Sequence, residues 1–297
     1  AIDKSRIKFW LDDTSREIVW RKDYYTGRDW ETTCFPPSLL GNGRMNPTQD
    51  FADAFPYRNG VPYVPGNPSD PDDPYAGRDP RLDEYLIRNG SLFKDNVINT
   101  VDGDVDGIDR KPSSSTTTGY YMKKLMNPSV NHTTGSVVTT RHFHTLLRMT
   151  EVYLIFAEAA NRVSGPTTEL YGYTPKQALA YLRSRPTNDG MPGVGATADP
   201  YLDECAAAGP EEFEKLVRNE RRIELCFEGQ RFYDLRRWAT DVSELNDVIN
   251  RPRITRQSIA YEEVEKRSYP SLYVPIPYTE VVRMKGIVQN AGWSNWE

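Results

Sequence analysis

The sequence predicts a mainly α protein in which helical hairpins carry long ordered loops and a few short strands. Two features predict it. Apolar residues recur at three- and four-residue spacing through the second half of the chain, whereas residues 1–140 are crowded with Pro, Gly, Asn and Asp around short apolar runs. At 297 residues the chain can bury a sizeable core, and 38% apolar residues with 20 glycines is ordinary globular composition.

Residues 1–140 read as ordered loops threaded by short strands such as Glu17-Ile18-Val19-Trp20, and residues 141–297 as a helical scaffold with an extended tail. From about His144, the residues Leu147, Val152, Ile155, Phe156, Ala159, Ala160 and Val163 predict an amphipathic helix of about five turns, stopped by Gly165-Pro166. Thr174-Pro175-Lys176-Gln177 supplies an N-cap hydroxyl, Pro at the first helical position and Gln two residues on, so a second helix runs from Pro175 to near Arg185. The pair forms a hairpin whose length approaches the 34-residue tetratricopeptide unit, of which one copy is legible. Pro210 opens a third helix with acid in its first turn. Phe213, Leu216, Val217, Glu220, Ile223 and Phe227 form its stripe, and Gly229 its end. A short helix follows over 231–238. The prolines of Tyr269-Pro270-Ser271-Leu272-Tyr273-Val274-Pro275-Ile276-Pro277 require an extended tail laid across something else.

Lys and Arg number 37 against 42 Asp and Glu, for a net charge of −5, so no basic surface favours nucleic acid. Cys34, Cys205 and Cys226 allow at most one disulfide and no CxxC metal knuckle. No run of 18 apolar residues predicts a spanning helix. The start, AIDKSRIKFW, lacks Met and any signal-peptide pattern, as a processed chain or a fragment would read. The 18 tyrosines outnumber the 10 phenylalanines; rings that pair an apolar face with a polar tip suit sugars, whose C–H faces stack on rings and whose hydroxyls need donors and acceptors.

The segment Leu216–Trp238, LVRNERRIELCFEGQRFYDLRRW, interleaves charge with apolar residues so closely that it reads as an Arg–carboxylate girdle stapling helices together. Its Asn-Glu-Arg-Arg-Ile-Glu-Leu, Glu-Gly-Gln-Arg and Asp-Leu-Arg-Arg-Trp runs resemble the C-terminal hallmark of the SusD/RagB family. Asn46-Pro47-Thr48-Gln49 with Asp53-Ala54-Phe55, Arg78-Asp79-Pro80-Arg81, and Tyr273-Val274-Pro275-Ile276-Pro277 with Gln289-Asn290 and Gly292 resemble further segments of that family, in the same order. The resemblance covers most of this chain and about the second half of a family member. It implies a star-shaped helical protein that acts at the cell surface on the outer membrane. Such a protein would be lipid-anchored through a part absent from this chain and would hand oligosaccharide to a SusC-like TonB-dependent transporter. The implied partners are thus the glycan, with a peptide as the alternative, the transporter and the remaining N-terminal half.

In relatives of this kind the sugar site is built on loops before the Pro-Thr-Gln segment, which here means residues 21–45. Trp30 and Tyr25 are the leading candidates, with Tyr24 as a third stacking face; Arg21, Asp23, Arg28, Asp29, Asn42 and Arg44 supply donors and acceptors. Two rivals stay open. One is a glycoside hydrolase using two loop carboxylates; the other is a helical scaffold or peptide-binding subunit of the same transporter. No phosphate loop, G-x-S-x-G elbow or HExxH is present, and no cofactor is required. Asp102, Asp104 and Asp106, with Gly107, follow the first half of a calcium loop, although the twelfth position is Ser113 rather than Glu; an Asp-Gly turn is the alternative. His132, His142 and His144 fall in one window without an evident fourth metal ligand.

Overall fold

The computed structural model of the chain describes residues 9–66, 73–111, 114–187, 190–256 and 258–294. Three short helices, α1 (Asp29–Cys34), α2 (Gln49–Asp53) and α3 (Arg81–Tyr85), sit among loops in the first part. The helical part holds α4 (Met149–Ser164), α5 (Pro175–Arg183), α6 (Pro200–Ala208), α7 (Pro210–Glu224) and α8 (Gln230–Trp238), with α9 (Tyr278–Arg283) near the end. Strands occur as separate antiparallel pairs: β1 (Ile18–Gly27) with β6 (Thr140–Arg148), β2 (Leu86–Ile87) with β5 (Tyr121–Met122), β3 (Leu92–Phe93) with β4 (Asn96–Val97), and β7 (Asp247–Ile254) with β8 (Ile259–Arg267). The mainly helical class is as expected.

Several boundaries differ for identifiable reasons. Residues 140–148 form β6 rather than the first helical turn, because β1 offers them a ladder along its whole length; α4 begins only at Met149. The second helix is as read, with both halves of its capping box made: Thr174 Oγ1 accepts from Gln177 N at 3.0 Å, and Gln177 Oε1 accepts from Thr174 N at 2.9 Å. Helix α6 is an addition. Asp199 caps it by accepting from Leu202 N, and it packs on α7 to make a second helical pair; α7 also packs on α4, so the legible hairpin is covered by a neighbour. Helix α7 stops at Glu224, not Gly229: its C-cap Leu225 already leaves helical geometry with φ of −100° and ψ of 17°, and Phe227 in the turn that follows is left-handed with φ of 64°. The β7–β8 hairpin is a further addition.

Leu154, Leu179, Leu182, Leu202, Phe213 and Val217 form one apolar cluster between α4, α5, α6 and α7. A second gathers Phe55, Leu82, Tyr85, Tyr120 and Ile223, and a third Phe35, Phe93, Ile98, Tyr121 and Met126. All three cysteines are buried and free, so the one disulfide allowed by the count is not formed. The tail runs extended across its own return segment, where Gln289 clasps the Ile276 N–H and C=O at 2.7 and 2.9 Å. Gly292 is needed there because a Cβ would lie 2.0 Å from the Pro270 carbonyl oxygen.

The charged girdle is real and lies deeper than a surface staple. The buried face of α7 is apolar in its first half, but Glu220 and Glu224 in its second half are fully enclosed. Arg81 joins Asp79, Glu220 and Glu224; Arg183 joins Asp199 and Glu220 (3.1 Å); Arg185 joins Glu17 (3.1 Å) and Glu224; Arg148 joins Glu17 (2.6 Å), Glu224 (3.4 Å) and Glu228 (2.7 Å). Burial opposes ionisation of Glu224, yet Arg185, Arg148, Arg81 and Lys124 hold it well below the usual carboxylate range.

Replacing Glu224 by Ala leaves guanidinium groups buried without counter-charge and is expected to lower unfolding free energy by about 3–5 kcal/mol, read by urea denaturation. A change below about 1 kcal/mol contradicts the network's role. Glu158 gives a pH test. Burial raises its pKa, but hydrogen bonds from Arg237 (2.7 Å) and Trp238 (2.9 Å) outweigh that and hold it at about 2. A depressed carboxylate contributes stability that is full above its ordinary 4.5 and lost as pH falls through the folded value. Stability curves of wild type and Glu158→Gln should therefore converge as pH falls from about 4.5 towards 2; parallel curves contradict the pairing.

Candidate functional site

A cleft of about 250 Å³ lies where the β1–β6 ribbon meets the N-terminal turn and the end of α7. Phe9 and Trp10 form its floor from a single 3₁₀ turn. Phe9 is buried edge-on to Trp10 at 5.4 Å, and the Trp10 indole N–H donates to the Met126 carbonyl at 3.3 Å. The ribbon contributes Tyr25 from β1 and His142, Phe143, His144 and Thr145 from β6, and α1 contributes Trp30. A bulge between Asp23 and Tyr25 breaks the two-residue alternation and sets Tyr25 opposite His142, with ring centroids 5.5 Å apart. Gly27 makes room for the Tyr25 ring, since a Cβ there would lie 2.3 Å from it. The far wall is Leu125, Phe227 and Glu228. Leu125 and Phe227 both have positive φ, 68° and 64°, a conformation costing about 1–3 kcal/mol that persists only where packing dictates it.

The polar groups are held as firmly as the rings. Glu228 accepts from Arg148 at 2.7 Å and Lys124 at 2.6 Å; burial opposes its charge, but those two cations keep its pKa below the ordinary value. His142 Nε2 lies 3.2 Å from the enclosed carboxylate of Glu31, whose other oxygen accepts from Asn127 N at 2.9 Å. The Glu31 carboxylate beside it, against the opposing effect of burial, raises the His142 pKa. Trp30 is part-buried, and among the described residues its Nε1 has no hydrogen-bond partner. Chemically the cleft offers several ring faces and a few fixed donors. Among the described residues that line it, Glu228 is the one carboxylate.

Of the residues expected from the sequence, Tyr25 and Trp30 meet in this cleft. Tyr24 lies in β1, but its side chain is outside the described structure. Arg21 turns to the Asp13 carbonyl and to Asp23 (3.3 Å), with its guanidinium 5.4 Å from the Phe143 ring, so it backs the wall. Asp29 is exposed in the first turn of α1, and Asn42 and Arg44 are exposed alongside that helix, their N–H groups donating to Thr32 and Thr33 carbonyls at 2.8 and 3.0 Å. None of these four lines the cleft. Trp10 and Phe143 are outside the expected set and Phe227 is expected only as part of the α7 stripe, although the period-two alternation through His142 and His144 is a strand signal that exposes the β6 face.

The metal expectations meet a different arrangement. Asp102 pairs with Arg253 at 2.8 Å, Asp104 accepts from Asn99 at 2.6 Å, and Asp106 is buried with Ser38 N donating to it at 2.8 Å. Three carboxylates with three separate partners do not converge; Ser113 lies outside the described residues. His132 bonds Thr32 at 2.9 Å while His142 faces Glu31, and no group of three His, Cys, Asp or Glu among the described residues is placed to hold a metal ion.

Paired helices that carry an aromatic cleft on a two-stranded ribbon and a short helix define a helical scaffold with a ligand-sized recess beside its charged core. The SusD family model matches residues 16–293, and the chain belongs to that family. Its fold is similar to a SusD-like protein from Bacteroides fragilis NCTC 9343 (TM-score 0.72, 23% identity, covering 97% of this chain and 56% of that one). It is also similar to a SusD-like carbohydrate binding protein from the same organism (0.65, 24%, covering 84% and 48%). Surface glycan-binding protein A from Bacteroides uniformis is more distant (0.54, 16%, covering 99% and 53%). The chain thus spans about half the length of the solved structures it matches. Among curated proteins none matches.

Because His142 gains its partner on folding, its stabilising contribution is full below its ordinary 6.5 and fades as pH rises through the higher folded value. NMR titration of the imidazole should give a midpoint above 6.5 that falls in Glu31→Gln; a wild-type midpoint at or below 6.5 contradicts the pairing.

Proposed function

We propose that the chain captures oligosaccharide in the aromatic cleft and passes it on chemically unchanged to a SusC-like TonB-dependent transporter at the cell surface. The observation that carries this reading is the convergence of Tyr25 and Trp30 with Trp10, Phe143 and Phe227 around one recess. Ring faces take the apolar C–H side of a sugar, while His142 and Thr145 meet its hydroxyls. A longer ligand leaving over α1 meets Asp29, Asn42 and Arg44, and Arg21 steadies the Phe143 wall. Membership of the SusD family and the printed description of one relative as carbohydrate binding support the assignment. The surface location follows from the family resemblance, which implies a lipid anchor outside this chain; among the described residues no helix is long and apolar enough to cross a membrane. Calcium has no part in this reading.

Glycoside hydrolysis fits the cleft poorly. It needs an acid of raised pKa facing a second carboxylate about 5–10 Å away, whereas Glu228 is held ionised by Arg148 and Lys124. A peptide is the alternative ligand for the same rings.

Calorimetry against a panel of neutral oligosaccharides should find binding with Kd in the micromolar to millimolar range, about −8 to −4 kcal/mol, with no product by mass spectrometry. Trp30→Ala, with its fold checked by circular dichroism, should weaken binding by at least about tenfold, since an aromatic contact contributes about 1 kcal/mol beyond its buried area. Turnover, or undiminished binding by Trp30→Ala, overturns the assignment.

A further inference from the structure

A second recess, of about 300 Å³, opens between α7, α8 and the turn after α8, bounded by Arg218, Asn219, Arg222, Arg231, Trp238 and Glu244. Its arginines are not equivalent. Arg218 donates to Glu214 at 3.0 Å and lies 4.9 Å from the Trp238 ring. Arg222 and Arg231 are half-buried, and among the described residues neither guanidinium makes a hydrogen bond or an ion pair; their contacts are with rings, Phe51 at 5.9 Å and Trp238 at 6.0 Å.

The surrounding acids are committed elsewhere. Asp234 is taken by Arg221 and Arg237 at 2.9 Å each, Asp50 by Asn250 at 2.8 and 2.9 Å, and Asp53 by Gln49 at 2.6 Å. Glu244 receives the Thr240 hydroxyl at 2.7 Å and the Thr240 and Asp241 N–H groups at 2.9 Å. Asp247 acts on both arginines only from beyond ion-pair contact. Burial and the neighbouring Arg222 charge bring Arg231 down to about 10, and burial lowers Arg222 too. Elsewhere in this chain the enclosed Arg81, Arg148, Arg183, Arg185 and Arg221 each meet a carboxylate directly. Enclosed Arg78 meets backbone carbonyls instead, whereas Arg222 and Arg231 are adjacent half-buried guanidinium groups that feel Asp247, and in the case of Arg222 Asp50 and Asp53, only from a distance, with no carboxylate in contact.

We propose that this recess is a second binding site, in which Arg222 and Arg231 together hold the oxyanion of a small ligand, a carboxylate or a sulfate. The planar donor forks of two arginines match such a group, and its charge relieves their mutual repulsion. The site is lined by none of the residues of the aromatic cleft, and the inference does not depend on that cleft binding sugar.

The test titrates the 297-residue chain with sodium sulfate, acetate, glucuronate and neutral glucose at constant ionic strength, followed by calorimetry and thermal melting. Saturable binding of sulfate or glucuronate, absent with glucose, is expected. Arg222→Gln and Arg231→Gln should weaken it by at least about tenfold while leaving the melting temperature in anion-poor buffer unchanged or higher, because a repulsion has been removed. Glucuronate binding more tightly than acetate assigns an acidic sugar as the source of the anion; equal binding assigns a free carboxylate. Undiminished anion binding in both variants overturns the proposal, as does the lack of any saturable response or a melting temperature that drops in both variants without anion.

Discussion

Two carboxylates one turn apart on α7, Glu220 and Glu224, are the constraint on which the rest of the chain is assembled. They are fully enclosed, and they satisfy arginines from α3, from the start of α4, from the end of α5 and from the segment just beyond it. Replacing such a network with well-packed apolar side chains is often energetically neutral, so its main effect is registry. Each arginine has one place where its charge is met, and the segment carrying it is located to within a hydrogen bond. Neighbouring bonds extend the same frame: Arg78 donates to the Ala52 and Phe55 carbonyls at 2.7 Å, and Asn219 to the Ala54 carbonyl at 2.9 Å, which joins α2, the loop before α3 and α7.

The cleft is an outgrowth of this frame. Arg148 ends β6, opens α4 and reaches Glu17 and Glu228, so the strand that presents His142 and Phe143 is anchored at its last residue. Lys124, next to Leu125, donates to Glu228, next to Phe227. The two left-handed residues of the far wall are therefore each adjacent to a member of the charged core, which accounts for how a bulky side chain is kept at positive φ. The opposite bank rests on a two-stranded ribbon and a six-residue helix, held by local ladder bonds and the Glu31–His142 contact.

The helical scaffold was legible because its signals are local. The Thr174 capping box, the Pro210 start and the apolar stripe of α7 are each settled within a few residues. The Glu220–Glu224 cluster was legible as a girdle, but its partners lie 37 to 143 positions away, at Arg183 and Arg81, and no spacing rule links them. The same limit applied to the cleft. Tyr25 and Trp30 could be picked out because they fall in one short ring-rich stretch of sequence, whereas Trp10, Phe143 and Phe227 come to them from the N-terminal turn, through β1–β6 pairing and from the end of α7. Arg21, Asn42 and Arg44 show the converse: closeness along the chain placed them in the candidate set, and the bulge and the turn of α1 aim them elsewhere. Most of the motif residues that carry the family resemblance, Arg78, Arg81, Asn219, Glu220 and Glu224 among them, are engaged in holding the frame rather than in lining the aromatic cleft.

The unequal anchoring of the two banks divides mutational freedom. Exchanging Phe227 or Leu125 alters a residue whose backbone is locked beside the ionic core, so evolution has little room there without loss of folding. Exchanging Tyr25, Trp30 or Phe143 perturbs only a ribbon and a short helix. Substitution on that bank therefore reshapes the recess while the wall beside the ionic core keeps its form.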